Sequence, residues 1–151
     1  MNKLTLHNAV VDVTESNVPI TATSDIVAAR QNGRRLAEQY KFTKSQQTRF
    51  ATAISELARN VLTYAVKGDC LFSVPNSPNK IIITAAVIDN GPGIEDIGLA
   101  LKDGYSGGYG LGLGLSGARR LVDAFSIEST PGLTKVEVSI IRQNVLNRDR
   151  S

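Results

Sequence analysis

Apolar residues recur along this chain with two periods, and the switches between them outline the elements. Residues 3–13 (KLTLHNAVVDV) and 18–23 (VPITAT) are rich in β-branched side chains and predict strands. From residue 25 the period lengthens. Ile26, Ala29, Gly33, Leu36 and Tyr40 recur at three- or four-residue steps, which puts them on one face of a helix over 25–40. Arg30, Arg34, Arg35 and Glu38 fall on the other face. Thr23 or Ser24 is the expected cap, because a side-chain oxygen there accepts from a free backbone N–H. A second helix is expected after Thr43 or Lys44, with Ser45 as another candidate cap, running to about Val66. Its apolar stripe is Phe50, Ile54, Leu57, Val61 and Tyr64 or Ala65.

The period then shortens again. Residues 70–75 (CLFSVP) predict a strand, and PNSPNK, with two prolines, predicts a turn. Residues 80–88 (KIIITAAVI) are nearly continuously apolar, which places that strand centrally in a sheet. It stops at DNGPG. A short helix over 95–102, a glycine-rich stretch and a helix over about 113–124 follow. Strands at 125–130 and 134–141, joined at Pro131-Gly132, close the domain, with Val136, Val138 and Ile140 alternating onto one side. NVLNRDRS reads as a frayed tail. Helices come early and strands late, so the expected class is α+β, with helices packed on one face of a mixed, mostly antiparallel sheet.

Size and composition narrow the function without naming it. A chain of 151 residues fits one domain with a real core. The net charge of +3 is mild, and the basic residues are scattered except for Arg142, Arg148 and Arg150 at the tail. With no Trp and no interleaved aromatics, a nucleic-acid partner is not expected. No apolar run approaches the roughly 20 residues that span a bilayer, and no secretory signal is expected. The single Cys70 rules out an internal disulfide and suits a reducing compartment, so a cytoplasmic location is expected. His7 is the only histidine, which leaves almost nothing from which to build a Ser-His-Asp or multi-histidine metal site.

The candidate chemistry begins with KDGYSGGYGLGLGLSG, residues 102–117, which hold seven of the thirteen glycines. Gly112, Gly114 and Gly117 spell G-x-G-x-x-G, but no strand precedes them and no acidic residue stands where a ribose would be read, so the dinucleotide reading fails. A P-loop fails as well, since no glycine is followed by Lys-Ser or Lys-Thr. What remains is a run of bare backbone N–H groups leading into a helix N-terminus, a place where an anion can bind. Arg119 and Arg120 are expected close to that helix's start. A merely flexible loop is the plain alternative.

Three other segments bear on the choice. In SELARN, Glu56 and Asn60 are four apart and share a helix face. A carboxylate beside an amide oxygen can hold Mg²⁺ next to a phosphate, or place a general base near a hydroxyl, or simply form a polar surface. In DNGPGI, Asp89 ends the central strand and can accept from an exocyclic amine, while Gly91 and Gly93 would let a base lie against the backbone. The same letters also make an ordinary turn. In TPGLTKVEVSI, the Thr134 hydroxyl can join the hydrogen bonds of Asp89, or be no more than a good strand residue.

Taken in order, the four segments resemble the GHKL ATPase/kinase superfamily. Glu56 and Asn60 match its N box, Asp89, Gly91 and Gly93 its D-x-G-x-G box, Gly107 to Gly117 its lid and second glycine box, and Gly132 with Thr134 its late G-x-T. A narrower likeness runs through SDIVAARQNGRRLAEQYKF, QTRFATAISELARNVLTYA, DNGPGIEDIGLALKDGYS and GLGLGLSGARRLVDAFSI. These look like the RsbT-type serine/threonine kinases of bacterial stressosomes, over residues 18–142. Tyr105-Ser106-Gly107-Gly108-Tyr109 departs from the Ser/Thr-rich lid common in such kinases.

The resemblance implies a Bergerat-type two-layer sandwich and an ATP- and Mg²⁺-dependent protein kinase. Residues 18–142 would form its ATP-binding domain, between an extension of unassigned role over 1–17 and a flexible tail over 143–151. It implies Glu56 as the catalytic base, Asn60 as the Mg²⁺ ligand, Asp89 as the adenine reader with Thr134 in support, and Gly91 and Gly93 beside the base. Backbone N–H groups from Gly108, Gly110, Gly112 and Gly114 would cradle the phosphates. Arg59 is expected in a helix-surface salt bridge, with a phosphate contact as the alternative. The implied partners are STAS-domain scaffold and antagonist proteins as substrates and a metal-dependent serine phosphatase as the activated target. An anti-sigma kinase that sequesters a sigma factor is the alternative, and a nucleotide sensor without transfer activity is a third. His7 lies in a predicted strand rather than on a helix pair, which disfavours an autophosphorylating histidine kinase.

Overall fold

The computed structural model describes residues 14–75, 77–102 and 114–143. The predicted strand at 3–13, His7, most of the glycine stretch and residues 144–151 lie outside the described residues. In chain order the elements are β1 (Thr14–Ile20), α1 (Thr23–Gln39), α2 (Lys44–Tyr64), β2 (Gly68–Val74), β3 (Lys80–Asp89), α3 (Ile97–Ala100), α4 (Gly114–Arg120), β4 (Ala124–Thr130) and β5 (Leu133–Gln143). The sheet order is β1-β2-β3-β5-β4, with every pairing antiparallel. The expected α+β class is correct, and the sheet is wholly antiparallel among the described residues rather than mixed. β3 takes the expected central place.

α1 and α2 cover one sheet face. Alternation aims Cys70, Phe72 and Val74, then Ile83, Ala85 and Val87, then Val136, Val138 and Ile140 into the layer between. They meet Phe50, Ile54, Leu57 and Val61 of α2 and Ala29, Leu36 and Ala37 of α1, all buried. Gly33 sets how closely α1 approaches, because a Cβ there would come within 2.3 Å of Ile54 Cδ1. Among the described residues no helix is long and apolar enough to cross a membrane.

Several boundaries move from their sequence-based places. β1 includes residues 14–17, which read as a gap and lie across the expected domain boundary at 18. Ladder bonds to β2 hold this polar edge strand extended. Ser16 turns toward the helices, where its Oγ takes a hydrogen bond from the buried Asn32 Nδ2 at 3.1 Å. α1 begins at Thr23 with Ala22 as its N-cap, so neither Thr23 nor Ser24 is the cap. Asp25 does the work instead: its Oδ2 accepts from the backbone N–H of Thr21 at 2.8 Å and of Ala22 at 3.0 Å. Those bonds hold its carboxyl below the ordinary carboxylate pKa of 3.8. Their stabilisation is present above the ordinary value and is lost as pH falls through the lowered one. Thr43 caps α2 as expected, accepting from Gln46 N at 3.1 Å while Gln46 Oε1 accepts from Thr43 N. α3 is shorter than its expected span, covering only 97–100. α4 stops at Arg120 rather than 124, as the chain turns over Leu121 to Asp123 into β4.

Candidate functional site: a cleft between α2 and the end of the sheet

The hydrophobic alternation of β3 does not end with the core. Val87 is buried, and the next residue on the same face is Asp89, at the strand's last position. Across the ladder Asp89 stands opposite Thr134 of β5, and Thr134 stands opposite Ser129 of β4. A polar row thus continues the apolar rows at one end of the sheet. Thr134 is only 6% exposed, and its Oγ1 lies 2.6 Å from Ser129 Oγ.

The loop after β3 is tied down at four points. Asp89 Oδ1 accepts from Gly91 N at 2.9 Å, and Ser129 Oγ accepts from Ile94 N at 2.8 Å. Gly132 N donates to Gly91 O at 2.9 Å, and Asn90 Nδ2 donates to Gly132 O at 3.0 Å. Gly93 adopts φ of +90°, and a Cβ there would lie 2.8 Å from Thr130 O, so the path admits no larger residue without strain.

α2 supplies the facing wall. Glu56 and Asn60 point to the same side, one turn apart. Glu56 is 9% exposed, and its Oε2 pairs with Arg59 Nη1 at 2.8 Å. The expected helix salt bridge of Arg59 is therefore made to the candidate base itself. The core stripe is expected to end at Tyr64 or Ala65, but both line the cleft instead, and Tyr64 is 46% exposed.

Between these walls lies a cavity of about 600 Å³, within the usual range for a small-molecule site. Glu56, Asn60, Asp89, Gly93, Gly114 and Thr134 all line it. Gly91 lies just behind, anchoring the loop. Gly108, Gly110 and Gly112 lie outside the described residues. Arg119 and Arg120, expected near the start of the following helix, fall in its last turn, and Arg119 Nη2 donates to Leu101 O at 3.4 Å. Pro92, Ile94, Leu99 and Ala100 complete the apolar lining. The first two adjoin a motif and could have been suspected. Leu99, Ala100 and Ser129 carried no signal, since no spacing rule links them to the motifs.

The donor set limits what the cleft can hold. Among the described residues no group of three or more His, Cys, Asp or Glu could bind a metal ion. A divalent cation here would take the Asn60 amide oxygen and complete its shell with ligand oxygens and water. That is how Mg²⁺ is usually bound beside phosphates, so the residues fit it.

The chain is similar to several known proteins. A protein-family profile described as histidine kinase-, DNA gyrase B- and HSP90-like ATPase matches residues 45–144. The serine/threonine-protein kinase RsbT of Bacillus subtilis is 45% identical over 118 residues, covering 78% of this chain and 89% of the relative. Among solved structures, the RsbU and RsbW domains of a Mycobacterium tuberculosis protein superpose with a TM-score of 0.61 at 17% identity, over 87% of this chain. This chain spans 33% of that one. The SiaB–SiaC complex of Pseudomonas aeruginosa gives a TM-score of 0.51 at 17% identity, covering 87% of this chain and 91% of that one. These two likenesses concern the fold. The chain belongs to the histidine kinase-, DNA gyrase B- and HSP90-like ATPase family, and within it to the group that contains the RsbT serine/threonine kinase.

Proposed function

We propose that this protein is an ATP- and Mg²⁺-dependent serine/threonine kinase that phosphorylates STAS-domain proteins of a stressosome-type partner-switching system. In the same proposal the released kinase binds and activates a metal-dependent serine phosphatase, in the cytoplasm. One observation carries the reading: Glu56 and Asn60 of α2, Asp89 of β3 and Thr134 of β5 converge on a single cleft of about 600 Å³. The kinship with an enzyme named as a serine/threonine-protein kinase supports the acceptor class.

Each residue then has a distinct task. Asp89 holds Gly91 N with one oxygen and accepts the adenine amine with the other. Thr134 supports that contact from the facing strand. Asn60 would hold Mg²⁺ through its amide oxygen, and the bound cation would supply charge neutralisation for the phosphates. Glu56 takes the proton from the acceptor hydroxyl as that oxygen bonds to the γ-phosphorus and the bond to the β–γ bridging oxygen breaks, leaving ADP. Arg59 fixes the carboxylate of Glu56 at 2.8 Å, so the base is oriented before the acceptor arrives. Phosphoryl transfer depends mostly on positioning and electrostatics, which such a small set can supply.

The test is incubation with γ-labelled ATP, Mg²⁺ and a purified STAS-domain protein. Label is expected on a serine or threonine of that protein. Glu56→Ala is expected to bind ATP as before and to transfer about 10²–10⁴-fold more slowly, the range for loss of a general base. ATP bound with no label transferred would reduce the protein to a nucleotide sensor. A Glu56→Ala variant of normal rate would remove Glu56 as the base.

A further inference from the structure

Ser129 belongs to none of the sequence motifs, yet it joins two of them. It sits on β4 directly opposite Thr134. Its Oγ lies 2.8 Å from Ile94 N and 2.6 Å from Thr134 Oγ1. A hydroxyl has one proton and two acceptor sites. The Ile94 amide can only donate, so one acceptor site of Ser129 is committed to it. An oxygen that accepts a hydrogen bond becomes a better donor in its turn. Either hydroxyl can donate in the Ser129–Thr134 bond, and the polarisation from Ile94 N–H favours the direction in which the Ser129 proton goes to Thr134 Oγ1. That direction leaves the Thr134 proton for the cleft, which Thr134 lines beside Asp89.

We propose that Ser129 is a positioning residue of the nucleotide site, which orients Thr134 as a hydrogen-bond donor toward the bound base. The inference rests on the nucleotide-binding reading of the cleft and deepens it. Asp89 as acceptor and Thr134 as donor form a pair along the polar row. The amine and ring nitrogen of adenine match that pair, whereas the carbonyl and ring N–H of guanine present the opposite order. Ser129 thereby contributes to the choice of base through Thr134, without touching the ligand. It also links that choice to the loop at Ile94.

The experiment is calorimetric titration of the full chain and its variants with ATP, GTP and inorganic tripolyphosphate, all with Mg²⁺. Ser129→Ala is expected to bind ATP about five- to tenfold more weakly, as for loss of one neutral hydrogen bond, and to lose preference for ATP over GTP by a similar factor. Tripolyphosphate affinity is expected to stay as in the wild type. Ser129→Thr keeps the hydroxyl and is expected to keep the preference. Ser129→Ala combined with Thr134→Val is expected to be no worse than Thr134→Val alone, since both remove the same chain of bonds. An unchanged ATP-to-GTP ratio in Ser129→Ala overturns the assignment, as do additive losses in the double variant. A uniform fall for all three ligands overturns it too, because that marks a loosened loop. A wild-type protein that binds neither nucleotide removes the underlying reading along with it, whereas ATP binding in the wild type and an unaffected Ser129→Ala removes only the role of Ser129.

Discussion

The middle of the sheet and its cleft end share one alternation but have opposite chemistry. In the middle, Ala85 faces Val138 and Val87 faces Val136, all buried under the helices. One step further the same face carries Asp89, Thr134 and Ser129 in a row. α2 repeats the change around its circumference: Phe50 and Ile54 close the core, Glu56 and Asn60 line the cleft, and Leu57 and Val61 between them are buried core residues that also form part of the cleft wall. The polar row is affordable only there. Part of its hydrogen-bonding capacity is met within the row and by the loop, and the rest opens on the cleft, whereas a polar residue in the middle rows would be buried without such partners. The site is thus the open margin of the core, and it inherits the rigidity of the core.

That contrast can be tested from both sides. Phe72→Ala, in a middle row, is expected to cost about 3–5 kcal/mol of unfolding free energy, since Phe72 is 1% exposed and wholly surrounded. Denaturant titration measures it, and a loss below about 1 kcal/mol would mean the row is not the packed core described. Asp89→Asn, in the polar row, is expected to act in the opposite sense. Asparagine Oδ1 can keep the bond to Gly91 N, so stability should change little. ATP affinity should fall about 10- to 100-fold with the loss of an ionised acceptor. Unchanged ATP affinity would refute Asp89 as the reader of the base. The smallest effect is expected just past α2, where Val66 holds φ of +77° while 74% exposed. A β-branched residue is strained in that conformation, and Val66→Gly should relieve it, raising stability by about 1 kcal/mol without altering nucleotide binding. A lower melting temperature would show that Val66 makes contacts worth more than the strain.

Much of this was legible along the chain. The stripe of α2, the central β3 and the alternation of β5 follow from period alone, because burial on one side of a regular element repeats with that element's geometry. Residues 14–17 escape the hydrophobic pattern because they are all polar, and the ladder to β2 that holds them extended follows no local sequence period. The α1 cap was misplaced because Asp25 reaches back to Thr21 and Ala22, which no single-residue preference reveals. Arg59 can be read as an ion-pair partner, and the i,i+3 spacing within SELARN offers Glu56 as the carboxylate; what the spacing does not show is that this pair forms in the wall of a cleft.

The sequence by itself determined the elements, their apolar faces and the residue types able to handle a purine, a cation and a hydroxyl proton. These are local properties, set by side-chain chemistry and by periods of 3.6 and 2. Only the tertiary structure decided that Glu56, Asn60, Asp89 and Thr134 face one another across a single cleft, and that Ser129 joins Ile94 to Thr134. The antiparallel register sets Asp89 against Thr134 and Thr134 against Ser129, while helix packing sets α2 above that row. Both depend on pairings between distant segments, which no local pattern encodes.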